Sequence, residues 1–296
     1  MIDRGYVRLA QRGVLTVAGA DRRTFLQGLI SNDINKVNGS RAIYSGFLTA
    51  QGRFLHDFFI AEIGDTFFID CERDRLDDLR RRLSLYKLRA KVVLAPAETM
   101  AVVALIGAGV IGTVGLSEET GNAKPYAGGV VYVDPRLVGL GARAIIPQDR
   151  IAALEQAGFR ELPFDEYDRL RLSLGVPDGS RDLPVEKALL LENGFDELNG
   201  VDWQKGCYVG QELTARMKYR ALVRKRLMPV RIDGPPPLPG TTIMLDDQEA
   251  GEMRSAQGSL GLALLRLEVV EQADKDGRPL TAGESRVTPV KPAWAA

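Results

Sequence analysis

Residues 202–216 read DWQKGCYVGQELTAR. One of the chain's two cysteines, Cys207, stands here between Lys205-Gly206 and Tyr208, with Gly210 closing the turn, and the run leads through Gln211 and Glu212 to Arg216. A structural thiol usually sits among aliphatic side chains, whereas flanking glycines allow a tight, accessible turn. Lys205 and the positive charges that follow would bias such a thiol toward its thiolate, the form that attacks electrophiles and ligates metals. Cys207 is therefore expected to be reactive or ligating, with Gln211 and Glu212 orienting a bound group or pairing with Arg216. Cys71, which ends the aliphatic stretch TFFIDC, is expected in a core.

Around this motif lie 296 residues, 45% hydrophobic and 26% charged, enough for two or three modest cores. Lys+Arg and Asp+Glu each total 39, so no global field draws the protein to nucleic acid or to an anionic membrane, and basic surface must be local. The opening MIDRGYVRLAQRG carries Asp3, Arg4 and Arg8 without an apolar core of signal-peptide length, and nowhere do eighteen apolar residues run together. The expected location is cytoplasmic, where free thiols outnumber structural disulfides. Two cysteines and a single histidine, His56, cannot build a four-thiolate site, so the chain is expected to contribute a metal ligand rather than a whole cage and to hold no stable metal alone.

DRRTFLQGLI at 21–30 predicts an amphipathic helix, N-capped by Asp21 and stopped at Ser31-Asn32-Asp33. YSGFLTAQGRFLHDFFIAEIGDTFFID predicts strands around the turns Gln51-Gly52 and Gly64-Asp65, and ERDRLDDLRRRLSLYKLR a charged helix with Leu76, Leu79 and Leu83 inward. KVVLAP, MAVVALIG, GGVVYVDP and ARAIIP read as further strands, and FDEYDRLRLSLGVP as a helix ended by Gly175 and Pro177. The order suggests an α+β sandwich. DGPPPLPG at 233–240 is the strongest linker, and TTIML, EAGEMRSA and LGLALLRLEVV beyond it predict a small all-β unit.

Three further stretches bear on function. GAGVIG at 107–112 spells G-x-G-x-x-G after a strand, but Gly115, Gly121, Asn122 and Pro125 deny it the helix that holds a pyrophosphate, so it reads as a glycine-rich loop. His56 and Asp57 share a strand, so only one can face a given pocket; His56 also reads as an exposed side chain beside a carboxylate. ARMKYRALVRKRL at 215–227 has six positive charges and no acid. It reads as a face toward a multiply anionic ligand or as a solvated face, with nucleic acid disfavoured by the neutral total.

KGCYVGQE resembles the signature of the YgfZ family of folate-binding, iron-sulfur-cluster-related proteins, which share a fold with the T-protein of the glycine cleavage system. GVPDGSRDLPVEKALLLENGFDELNGVDWQKGCYVGQELTARMKYRALVRKRLMPVR is similar to the branch that includes the mitochondrial iron-sulfur assembly member. FLQGLISNDI, AIYSGFLTAQGRFLHDFF and GSLGLALLR resemble its other blocks, so the likeness runs essentially end to end.

The resemblance implies an α+β, T-protein-like multidomain fold with a small C-terminal β-barrel. The expected segments are 1–50 with 151–228 as a folate-binding α+β domain, 51–150 as a ferredoxin-like domain, and 229–296 as the barrel. It also implies tetrahydrofolate as the bound species, a role in maturing or maintaining 4Fe-4S enzymes, and transient cluster contact at Cys207 in the motif Lys205, Gly206, Cys207, Tyr208, Gly210, Gln211, Glu212. Expected partners are iron-sulfur enzymes or assembly proteins, with the chain a monomer. Asp57 falls where the T-protein carries adjacent acids beside the folate. Here the first of the pair is His56, a departure that counts against aminomethyl transfer. A pterin edge needs buried carboxylate or amide partners, so Asp57, Glu186 and Glu192 are candidate folate residues, with Arg216 beside them. The alternative function is a folate-dependent one-carbon transferase or demethylase using Asp57 as base or electrostatic partner.

Overall fold

Branched and aromatic residues dominate the first half of the chain, and they form two sheets in the computed structural model, which describes residues 4–295. Asp3 lies outside the described residues. The five-stranded sheet has the order Ile43–Leu48, Phe54–Ile63, Thr66–Glu72, Arg12–Ala18, Val93–Pro96. The six-stranded sheet runs Arg160–Glu161, Gly5–Arg8, Met100–Ile106, Ala142–Pro147, Gly129–Val133, Ala123–Tyr126. Its only parallel pairing with a defined register among the described residues joins Gly5–Arg8 to Arg160–Glu161. Tyr6, Val103, Leu105, Val131, Ile146 and Phe159 share its buried core.

Contacts divide the chain into two compact units, where the sequence suggested three segments. One comprises the chain up to Leu48, Leu55–Tyr167 and Leu198–Val209; the other comprises Thr49–Phe54, Asp168–Glu197 and the chain from Gly210 onward. The chain enters the six-stranded sheet at Gly5, leaves for the five-stranded sheet at Arg12 and returns at Met100, so consecutive segments and sheets do not coincide.

The helix predicted over 21–30 is shorter, Arg22–Gln27, and Asp21 does not cap it. The Asp21 carboxylate instead accepts from the Lys91 amide at 2.7 Å, tying the helix start to a distant loop. The helix Leu76–Leu85 buries Leu79 and Leu83 as the periodicity predicts. GAGVIG opens only the four-residue helix Val110–Thr113, as its later glycines foretold.

In the second unit, six strands close into a barrel: Lys225–Asp233, Leu260–Arg266, Gln248–Gln257, Thr242–Leu245, Leu280–Ala282 and Ser285–Pro289, the last pairing with the first. Val230, Ile243, Met253, Leu265 and Val287 fill it. Because the first barrel strand begins at Lys225, DGPPPLPG is a connection within the barrel rather than a boundary before it. LEVV, read as strand, opens the helix Leu267–Asp276, where Val269, Val270 and Ala273 are buried at helical spacing. Burial of that stripe outweighs the strand preference of two valines. No helix among the described residues is long and apolar enough to cross a membrane.

Candidate functional site

The cysteine loop is built on the turn that follows the helix Arg22–Gln27. Ser31 Oγ donates to the Gly200 carbonyl at 2.6 Å, the Asp202 amide to the Ser31 carbonyl at 3.0 Å, and the Val209 amide to the Gly28 carbonyl at 3.0 Å. Asp202 Oδ1 accepts from the amides of Gln204 and Lys205 at 2.7 and 3.1 Å, folding the residues before the cysteine into a tight turn. Lys36 lies 2.5 Å from Asp202 Oδ2, and these partners hold the carboxyl below its ordinary range against the opposing effect of burial.

Lys205 has a different role from the one its position suggests. Its Nζ donates to the carbonyls of Gln27, Ile30 and Asn32 at 2.8, 2.6 and 2.9 Å, which uses all three ammonium protons. The ammonium also lies 5.1 Å from the centre of the Tyr208 ring, which is buried. Burial lowers the Lys205 pKa to about 8 against the pull of Asp33 and Asp202, and only the ammonium has a proton for each of the three carbonyls, which favours the charged form. Lys205 is thus a clamp on the loop. Cys207 is left exposed, whereas Cys71 is buried, its thiol pushed up to about 12 by burial.

Beyond Cys207 the motif passes from the first unit to the second, between Val209 and Gly210. Gly210 starts the helix Gln211–Tyr219 at φ 83°, a left-handed conformation that glycine adopts at least cost. The basic run is therefore helix, turn and barrel strand rather than one strand following phosphates. Arg216 and Glu212 are exposed on that helix, and no ion pair joins them.

The second candidate centre is Asp57. Both His56 and Asp57 are buried, which corrects the reading of His56 as an exposed side chain. Strand alternation separates them: His56 Nε2 meets Asp78 Oδ2 at 3.0 Å, while Tyr44 Oη donates to Asp57 Oδ2 at 2.9 Å. Asp57 Oδ1 is buried with no hydrogen-bond partner among the described residues. Burial raises the Asp57 pKa to about 6, opposed mainly by Arg12, with Glu72 adding to the rise. Below lies a buried ion network that sequence reading did not find. Arg12 and Arg143 both bind Asp70 at 2.6 Å, Arg136 forks onto Asp134 at 2.8 and 3.0 Å, and the three guanidiniums stack on Phe59 at 5.6, 4.1 and 4.7 Å. Three buried cations face Asp70, Asp134 and Asp57, so an ionised Asp57 balances the set. Tyr44 also lines a cavity of about 120 Å³ with Asn32, Lys36, Arg41 and Asn199.

Glu186 and Glu192 belong to the other unit. Glu186 is exposed, and its amide donates to the Phe54 carbonyl at 2.8 Å. Glu192 lines a cleft of about 360 Å³ with Arg53, Lys187, Lys225 and Arg254, and burial raises its pKa. Among the described residues, no three His, Cys, Asp or Glu side chains gather as a metal site.

The family description "CAF17, C-terminal beta-barrel domain" matches residues 224–296. Iron-sulfur cluster assembly factor IBA57, mitochondrial, of Mus musculus is 34% identical over 313 residues, covering 97% of this chain and 84% of that protein. Its Homo sapiens counterpart is 36% identical over 284 residues, covering 89% and 78%. The Neurospora crassa homolog is 33% identical over 316 residues, covering 90% and 70%. In three dimensions the chain is similar to glycine cleavage system aminomethyltransferase T from Bartonella henselae, with TM-score 0.76 and 13% identity over 98% of this chain and 85% of that one, which shows a T-protein-like fold. These relatives overturn the cytoplasmic expectation, since all three are named as mitochondrial.

Proposed function

Because the chain belongs to the family of the IBA57 iron-sulfur cluster assembly factors, we propose that it works in cluster assembly through Cys207, as a transient thiolate ligand to a cluster shared with a partner protein. One observation carries this reading: Cys207 is exposed on a loop that Lys205 clamps to three backbone carbonyls. A soft ligand on a fixed loop can enter and leave a cluster's coordination sphere without rearranging its own backbone. The remaining ligands come from the partner, because this chain offers one accessible thiol. Replacing Cys207 by Ser in a strain lacking the family member tests the reading. The folded variant should leave 4Fe-4S enzymes inactive, and full complementation would sink it.

The same reading places reduced folate at Asp57. The partnerless Asp57 Oδ1 fits the N–H donor edge of a pterin, and Tyr44 fixes the carboxylate that would receive it. When bound, tetrahydrofolate supplies a carrier for one-carbon units. This chain's part is to orient the ring and keep water from the Asp57 carboxylate. Calorimetry with tetrahydrofolate should show binding that Asp57→Asn weakens by roughly 30-fold or more, the scale of a lost charged hydrogen bond. A folate-dependent transferase is the second reading, favoured by the Asp57 pKa of about 6, near that of a useful base. It predicts the reverse pattern, with Asp57→Asn inactive and Cys207→Ser active.

A further inference from the structure

Seven large hydrophobic side chains are well exposed among the described residues, and four of them fall within nine positions: Leu85 at 68%, Tyr86 at 41%, Leu88 at 90% and Val93 at 60%. Such a concentration marks an interaction surface more than chance exposure does. Leu88 is the sharpest case. Its φ is 42°, a left-handed conformation that a branched side chain adopts only at a cost, and the leucine held there points into solvent. The fold's own packing gains nothing from it. Beside this segment lies a mainly apolar groove of about 470 Å³ lined by Phe25, Gly28, Leu29, Tyr86, Ala90 and Val209, with Asp21 and Thr24 as its polar members and the Asp21 carboxylate bonded to the Lys91 amide. Val209 follows Cys207 by two residues and is fixed to Gly28 by its amide, so the groove borders the cysteine loop.

Charge identifies the occupant. From Leu79 to Ala97 the chain has six basic residues and no acid. Arg80, Arg81 and Arg82 are held by Asp77 and Asp78 on their own helix. Lys87, Arg89 and Lys91 make no ion pair among the described residues, and they alternate with the exposed apolar side chains.

We propose that residues 85–93 and the adjoining groove are the docking face for an acidic iron-sulfur partner protein, which seats apolar side chains in the groove, receives Leu88, and brings its cluster to Cys207. The proposal rests on the assembly reading above. A second copy of this chain is disfavoured, because a self-complementary contact would oppose Lys87, Arg89 and Lys91 to themselves. A bilayer is disfavoured because it cannot fill a concave groove, and three free cations are fewer than the roughly four to eight that mark lipid-binding clusters.

The test uses the full chain in a strain lacking the family member, with three variants. Leu88→Gly relieves the left-handed strain, so its thermal midpoint should equal or exceed the parent's. Its 4Fe-4S enzyme activity should nevertheless fall at least about fivefold, the effect of losing an interface anchor. Lys87→Glu/Arg89→Glu/Lys91→Glu should fall similarly. Both should keep parental alkylation of Cys207. In the third variant, Leu88→p-benzoylphenylalanine, irradiation should crosslink position 88 to a protein that mass spectrometry identifies as an acidic iron-sulfur protein. The charge-reversed background should abolish that adduct. Full activity of Leu88→Gly overturns the proposal, as does an adduct to lipid, to a second copy or to a protein without iron-sulfur ligands. If Cys207→Ser fails to complement while Leu88→Gly succeeds, the docking face alone is wrong; if Cys207→Ser succeeds, the assembly reading itself is wrong.

Discussion

His56 and Asp57 are neighbours on one strand and bond in opposite directions, His56 to Asp78 and Asp57 to Tyr44. Their burial has opposite consequences for stability.

Burial holds His56 at about 4, below its ordinary 6.5, so the unfolded chain takes up a proton that the native chain refuses. The stability contributed by neutral His56 is complete above pH 6.5 and is lost as pH falls toward 4. Asp57 is raised from 3.8 to about 6, so the native chain is protonated first and stability falls as pH rises from 4 to 6. His56→Gln should therefore gain stability relative to the parent on going from pH 7 to 4.5, and Asp57→Asn should gain on going from 4.5 to 7, each by about 1–3 kcal/mol. Urea unfolding at the two pH values checks this. Shifts of the same sign in both variants would contradict it.

Native protein should take up one equivalent of iodoacetamide at pH 7.5, at Cys207, and a second only in urea. Cys71 is both buried and pushed up to about 12, so access and thiolate fraction protect it together. Peptide mapping decides the site.

Removing the Lys205 ammonium leaves three carbonyls without their donor. Lys205→Ala should cost about 2–4 kcal/mol and speed hydrogen exchange at the Val209 amide. Lys205→Arg should not restore stability, because a planar guanidinium cannot reach three carbonyls that converge on one point. A parental midpoint in the arginine variant would show that charge alone suffices.

Gly52 has φ 80°, and a Cβ there would lie 2.7 Å from the Gly210 carbonyl oxygen and 2.8 Å from Leu213 Cβ. Gly52→Ala should cost about 2 kcal/mol or more and disturb the start of the helix Gln211–Tyr219. Chemical denaturation and an altered amide spectrum at Gln211–Leu213 would register it.

Much of this was legible in the sequence because short-range patterns govern it. Leu79 and Leu83 fixed the inner face of their helix, glycines ruled out a nucleotide loop at 107–112, and the long cysteine motif led to the α+β fold with its barrel. Lys205 was misjudged because its partners, Gln27, Ile30 and Asn32, lie more than 170 residues away and are backbone atoms that no side-chain pattern announces. The ion network around Phe59 was missed for the same reason, since Arg12, Asp70 and Arg143 come from three separate strands. One overlooked signal was local. Leu85 and Leu88 continue the apolar run of LRRRLSLYKL but, unlike Tyr86, fall out of phase with Leu79 and Leu83, which is how a run looks when it leaves the core.

An edge of the six-stranded sheet and the seam of the barrel are each completed by distant pieces of chain: Gly5–Arg8 beside Arg160–Glu161, and Lys225–Asp233 beside Ser285–Pro289. On the ribosome, the first strand must wait for more than 150 further residues before its parallel neighbour exists, and the barrel's opening strand for about 50 more after its own synthesis before its seam can shut. The nascent chain thus passes through two intervals in which strand edges lie open to wrong pairings, so slow translation near the middle of each interval prolongs exposure to chaperones and proteases alike.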